Sequence, residues 1–197
     1  MTETDISSSG MKKSIRRKML ALRRALSDDE VKEKSHHLAC RIRTLSQYKK
    51  AGRIMAFLAM RGESNLDELI RQALDEGKEI YIPVCLPGRQ MEAGQLLDMD
   101  HFTRGPLGLR NLPSGYVRIE PEMLDLVLVP AAACDREGHR IGMGAGYYDR
   151  YLAHVPYEKR IAALWDFQVA DHLPFEPFDQ RVAGIVTDKG MIVTKRG

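Results

Sequence analysis

The sequence predicts an α/β fold: a three-layer, Rossmann-like, mostly parallel sheet with helices on both faces and an N-terminal helical arm. Three observations lead there. Residues 124–130 (LDLVLVP) form a near-continuous apolar run of the kind buried on both faces, as a central parallel strand must be. Strand-like apolar runs alternate with segments of helical period. Glycines stand at the joints, at Gly77 and at Gly142, Gly144 and Gly146. With 197 residues, 44% hydrophobic and 29% charged, the chain can bury a substantial core and is read as a single domain over 1–197.

The elements follow in order. Residues 1–10 are polar and Ser-rich, without the apolar centre of a signal peptide, and are expected to be frayed. Ile15, Met19, Leu22 and Leu26 recur at helical spacing, which places them on one side of a helix with Arg16, Arg17, Lys18, Arg23 and Arg24 around the rest. Ser27 followed by Glu30 reads as a capping box for a second helix running to about Tyr48, with Val31, Leu38, Ile42 and Leu45 inward. Two helices thus precede the first strand, at 54–60. Asn65 then caps a helix to about Glu76, Gly77 stops it, and 79–84 is the next strand, completing a βαβ unit. Between 86 and 121 Gly and Pro are frequent, and loops with one weak strand near 95–99 are expected on an active-site surface. Strands at 160–164, 182–186 and 191–194 complete the sheet.

Composition narrows the function. The net charge of +3 is unevenly placed, because residues 12–50 carry 13 Lys and Arg against only Asp28, Asp29, Glu30 and Glu33. A basic arm suits nucleic acid, an acidic membrane surface or the phosphates of a small ligand, and charge alone does not choose among them. Cys40, Cys85 and Cys134 are isolated, which argues against a disulfide framework or a Cys-based zinc site and for a reducing, cytoplasmic setting. No stretch approaches the roughly 20 apolar residues of a membrane span. The histidines lack metal-ligand spacing, and no Ser-His-Asp or Cys-His nucleophile constellation emerges.

The chemistry concentrates just after the central strand, in Asp135-Arg-Glu-Gly-His-Arg-Ile-Gly-Met-Gly-Ala-Gly-Tyr-Tyr-Asp-Arg150. Three glycines at alternate positions let the backbone approach a ligand closely and aim N–H groups at an anion, and Arg140 adds a full charge. The spacing matches neither GxGxxG nor the Gly-Lys-Ser/Thr phosphate loop. A tight crossover needing positive φ is the structural alternative.

Residues 130–150 resemble the central signature of the 5-formyltetrahydrofolate cyclo-ligases, with Ile141 in place of the usual Leu. The resemblance extends to Lys-Lys-Ser-Ile-Arg at 12–16, Phe57-Leu58-Ala59-Met60, Gly77-Lys78 and Leu173-Pro174 with Asp179, covering almost the whole chain from Met11. It implies that ATP is held by Lys12, Lys13, Ser14, Ile15 and Arg16 and by Arg140, Ile141, Gly142, Met143, Gly144, Ala145, Gly146, Tyr147 and Tyr148. It implies Mg2+ at Asp149 and Asp179, and the folate at Arg16, Met60, Glu63, Asn65 and Tyr147. Many relatives carry a carboxylate where this chain has Asn65, which keeps hydrogen bonding and loses charge.

The implied reaction is the ATP- and Mg-dependent closure of 5-formyltetrahydrofolate to 5,10-methenyltetrahydrofolate through a phosphorylated formyl group. Lys12, Arg16 and Arg140 would supply charge for phosphoryl transfer. The implied partners are the folate and ATP, with no nucleic acid and no membrane, and a monomer is expected. Two alternatives stand beside this reading: a nucleic-acid-binding protein using the basic arm, and a sugar-phosphate isomerase or transferase of similar sheet architecture.

Overall fold

The structure is a computed structural model that describes residues 8–104 and 110–194. Its main sheet has eight strands in the order β13-β12-β10-β7-β1-β2-β3-β6. The central five are parallel: β12 (Gly184–Val186), β10 (Arg160–Ala163), β7 (Leu126–Val129), β1 (Arg53–Met55) and β2 (Glu79–Leu86). Antiparallel strands flank them, β13 (Met191–Val193) on one edge and β3 (Gln90–Leu96) with β6 (Arg118–Ile119) on the other. The expected α/β architecture is therefore present.

The central strand shows why. All four residues of β7 are buried, and its side chains divide by the period of two. Leu126 and Leu128 enter the cluster under α2 (Asp28–Thr44), α3 (Ser46–Lys50) and α4 (Asp67–Asp75). Val127 and Val129 enter the opposite one, under Tyr151 and Leu152 of α5 (Tyr147–Leu152).

Three expectations need correction. Ser8–Gly10 are not frayed but open α1 (Ser8–Ala25); the rest of the expected frayed segment, 1–7, lies outside the described residues. The second helix ends at Thr44, whose hydroxyl donates back to the Arg41 carbonyl at 2.7 Å, and Leu45 is extended before α3 begins, so three helices precede β1. In the Gly- and Pro-rich stretch the one weak strand expected near 95–99 is instead the seven-residue β3 at 90–96, which pairs antiparallel with the expected strand β2 in a long hairpin whose register from Ile80↔Leu96 to Leu86↔Gln90 spans seven pairs. Residues 105–109 of that stretch lie outside the described residues.

The capping box of α2 is formed as read: the Ser27 hydroxyl accepts from Glu30 N at 3.2 Å and Glu30 Oε2 accepts from Ser27 N at 2.8 Å. Gly77, at φ +77°, closes the α4 end. Two small sheets accompany the main one: β4 (Thr103–Arg104) pairs with β5 (Arg110–Asn111), and β11 (Val169–Ala170), β8 (Ala133–Asp135) and β9 (Arg140–Ile141) form a sheet that leaves the end of β7 and carries the glycine loop. Helix α1 docks here, with Met19 and Ile15 packed against Ala132, Ala133, Ile141 and Leu173. Its inward stripe differs from the apolar face expected. Leu22 is 43% exposed, whereas Lys12 and Arg23 are buried beside Met19. The helix is held by buried cations on its inner side. No helix among the described residues is long and apolar enough to cross a membrane.

Candidate functional site

The glycine loop hangs from the β8–β9 hairpin. Asp135, 1% exposed, ties the hairpin turn by accepting from Glu137 N (3.0 Å), His139 N (2.9 Å) and His139 Nδ1 (3.0 Å), and it reaches across to Leu173 N at 3.0 Å. Gly138 has φ +88°, and a Cβ there would lie 2.4 Å from the Val182 carbonyl oxygen, so only glycine fits. The chain then passes Arg140 and Ile141 into Gly142-Met-Gly-Ala-Gly146, where Gly144 (φ +100°) and Gly146 (φ +75°) take left-handed conformations before α5. Ile141 turns into the apolar contact with Met19, so its side chain serves the core. Met143 is exposed at the loop tip.

Helix α1 lies against this loop. Arg16 Nε donates to the Gly142 carbonyl at 2.7 Å, and a Cβ on Gly144 would sit 3.4 Å from the Arg16 guanidinium carbon. One turn earlier, Lys12 Nζ bonds Glu176 Oε2 at 2.7 Å and Asp179 Oδ2 at 2.5 Å. Burial pulls the Lys12 ammonium down, but its hydrogen bonds and ion pairs with Asp179 and Glu176 outweigh that and leave it raised above the ordinary lysine value. Lys13 and Ser14 are exposed and Ile15 is half-buried.

Arg140 is more enclosed than its expected role suggested. Its side chain is 2% exposed and Nη2 donates to Asp149 Oδ1 at 2.7 Å, while its buried Nε has no partner among the described residues. Its guanidinium carbon is 5.8 Å from the Tyr148 ring centroid. Burial pushes the Tyr148 phenol up, and its hydroxyl is likewise buried without a partner among the described residues. Tyr147, beside it, is half-buried. Asp149 also accepts from the backbone N of Gln180 at 3.3 Å, which brings the residue after Asp179 to it.

Asp149 and Asp179 thus approach each other through Gln180, each with one carboxylate oxygen facing a cation. Among the described residues no group of three His, Cys, Asp or Glu is placed to hold a metal ion. Mg2+ usually keeps several waters and takes one or two carboxylates plus phosphate oxygens. This donor set fits a Mg2+ ion shared with nucleotide phosphates, and not one caged by protein alone.

The other expected contacts lie on the turn after β1. Met60, Glu63 and Asn65 line a cleft of about 250 Å³ together with Arg24 and Arg61. Met60 is exposed, and its backbone N donates to Glu63 Oε2 at 2.9 Å. Asn65 Oδ1 accepts from Asp67 N at 2.8 Å, so its amide caps α4 from just outside the helix. Glu63 is buried, and its other oxygen accepts from Arg23 Nη2 at 3.1 Å. Arg23 and Glu176, which engage the expected residues Glu63 and Lys12, were not singled out in the sequence. The signal for Arg23 was available: it shares a helical stripe with Lys12, Arg16 and Met19. Glu176 lies in the same loop as Asp179 but carries no motif of its own.

A model of the 5-formyltetrahydrofolate cyclo-ligase family matches residues 8–188. The chain is 32% identical over 173 residues to the 5-formyltetrahydrofolate cyclo-ligase of Escherichia coli K12, covering 84% of this chain and 93% of that protein. It is 29% identical over 206 residues to the protein of the same description from Saccharomyces cerevisiae, covering 92% and 97%. The solved structure of Aquifex aeolicus 5,10-methenyltetrahydrofolate synthetase superimposes with a TM-score of 0.83 at 30% identity, over 95% of this chain and 94% of that one.

Proposed function

The chain belongs to the 5-formyltetrahydrofolate cyclo-ligase family and is a ligase, and from that premise we propose that it closes 5-formyltetrahydrofolate to 5,10-methenyltetrahydrofolate with ATP and Mg2+, releasing ADP and phosphate. The observation that carries this reading is the convergence of Lys12 and Arg16 of α1, the glycine loop, and Asp149 and Asp179 on one surface. A phosphoryl-transfer site needs positioned charge above all else, and this one offers charge without any protein nucleophile. The same reading takes the chain as one catalytic domain, acting as a cytoplasmic monomer. The family match favours neither a nucleic-acid-binding arm nor a sugar-phosphate enzyme.

The formyl oxygen is a poor leaving group when N10 attacks. Passing the γ-phosphoryl group of ATP to it releases ADP and leaves an iminium phosphate on N5. N10 then adds to that carbon and loses its proton, and phosphate departs to leave the conjugated methenyl bridge. Lys12 and Arg16 place positive charge beside the glycine loop, whose backbone approaches the phosphates closely. Asp149 and Asp179 would hold Mg2+ together with phosphate oxygens, and the ion would supply further neutralising charge. Arg140 is enclosed, so its part is to fix Asp149 and the root of the loop. Met60, Glu63, Asn65 and Tyr147 bound the folate side.

The test is direct: the protein is mixed with 5-formyltetrahydrofolate and Mg2+, with and without ATP, and methenyl absorbance is followed. Product is expected only with ATP, and chelation of Mg2+ should abolish it. Absence of ATP-dependent product would sink the reading.

A further inference from the structure

We propose that Arg23 is a positioning residue for the substrate loop, acting from the far end of α1 to hold Glu63 and the Gly62 carbonyl in fixed places; this rests on the reading of Glu63 as a folate contact. The side chain is 3% exposed, an unusual place for arginine on a helix expected to turn its charges outward. Its contacts explain the burial. Nη2 reaches Glu63 Oε1 at 3.1 Å and Nε donates to the Gly62 carbonyl at 3.2 Å. The same carbonyl accepts from Trp165 Nε1 at 3.0 Å, so the turn is gripped from α1 and from the end of β10.

The backbone is committed as well. Gly62 has φ +77°, and a Cβ there would lie 2.8 Å from the carbonyl oxygen of Arg23 itself, so the turn is pressed onto the helix. Glu63 is held at both oxygens, by Arg23 and by Met60 N. A carboxylate so fixed costs little further ordering when a substrate arrives, which is the benefit of preorganisation. Arg23 lines the cleft beside this turn, and its buried Nη1 has no hydrogen-bond partner among the described residues. The planar fork matters: lysine carries one ammonium and cannot serve the Glu63 carboxylate and the Gly62 carbonyl with the same geometry.

The experiment measures kcat and KM for both substrates in the wild type, Arg23→Met, Arg23→Lys and Trp165→Phe, with thermal stability recorded in parallel. Arg23→Met should raise KM for 5-formyltetrahydrofolate on the order of 10- to 100-fold while KM for ATP stays within about twofold. Arg23→Lys should recover part of the loss, and Trp165→Phe, which removes only the second donor to Gly62, should shift the same KM by less. A merely structural role would instead lower the active fraction and melting temperature with neither KM moved, and that result overturns the proposal. Equal rises in both KM values overturn it too. Should Arg23→Met not fold, an unchanged folate KM in both Arg23→Lys and Trp165→Phe overturns it on its own. Wild-type protein without ATP-dependent turnover would instead remove the reading on which the proposal rests.

Discussion

The two ends of α1 hold buried cations in different ways. At the N-terminal end Lys12 meets two acids on one surface loop, and Glu176 remains 34% exposed. At the C-terminal end Arg23 and Glu63 are 3% and 10% exposed, and the arginine also grips backbone. The hydrogen bonds of Lys12 overcome its burial and raise its pKa, whereas burial outweighs the Glu63 pair and lowers that of Arg23. The difference teaches which end can change partners. A single ammonium held by loop carboxylates, one of them 34% exposed, has less to give up in changing partners than a fork bound to both a buried carboxylate and a backbone carbonyl.

The comparison can be broken at several points. The largest effect is expected beside the N-terminal end, at the glycine loop: Asp149→Asn should cut ATP-dependent methenyl formation by roughly 100-fold or more with the fold retained, as loss of an electrostatic contact to a reacting group does. Circular dichroism beside the absorbance assay checks both halves, and near-normal turnover would remove Asp149 from the site.

The next effect is one of stability at the locked end. Arg23→Met alone leaves Glu63 buried without its cation and should cost about 3–5 kcal/mol, while Arg23→Met with Glu63→Leu should recover most of that, because a buried pair is expensive to break and cheap to replace. Denaturant unfolding of the two variants decides it. If the double variant is as unstable as the single, the pair is not what fixes the turn.

The smallest effect is at Lys12, where Lys12→Met should cost about 1–3 kcal/mol, less than at Arg23 because Glu176 stays 34% exposed although Lys12 and Asp179 are each 11% exposed. Its pH dependence has a definite sign. The folded pKa is raised, so the stabilisation is complete below the unfolded value of 10.5 and is lost only as pH rises through the higher folded value. The difference between wild type and variant should therefore be the same at about pH 7 and pH 9. A difference that grows across that interval would mean that burial has lowered the Lys12 pKa instead.

Particular residues show how much was legible. The run 124–130 announced β7 because a strand buried on both faces has no polar side to break its pattern. Ser27 and Glu30 announced the α2 start because a capping box is local. The β2–β3 hairpin was under-read: Met91 to Gln95 contains a glycine and two polar residues, and the strand is specified by pairing with β2 more than by its own propensity. Within the candidate site the alternate glycines with Arg140 could be read as an anion-binding candidate beside the alternative of a tight crossover, while the particular ATP, Mg2+ and folate contacts needed the family resemblance.

What the sequence determined by itself was set by near neighbours: the alternation of helix and strand, the capping box at Ser27, the left-handed glycine that ends α4, and the motif that identifies the family. Only the tertiary structure decided which charges would be inside. Arg16, Arg23 and Arg24 are alike as letters on a basic helix, yet one rests on the glycine loop, one is sealed against Glu63 and one is exposed. The physical reason is that a charge can be buried only where a partner from elsewhere in the chain compensates its desolvation, and that partner is chosen by the fold.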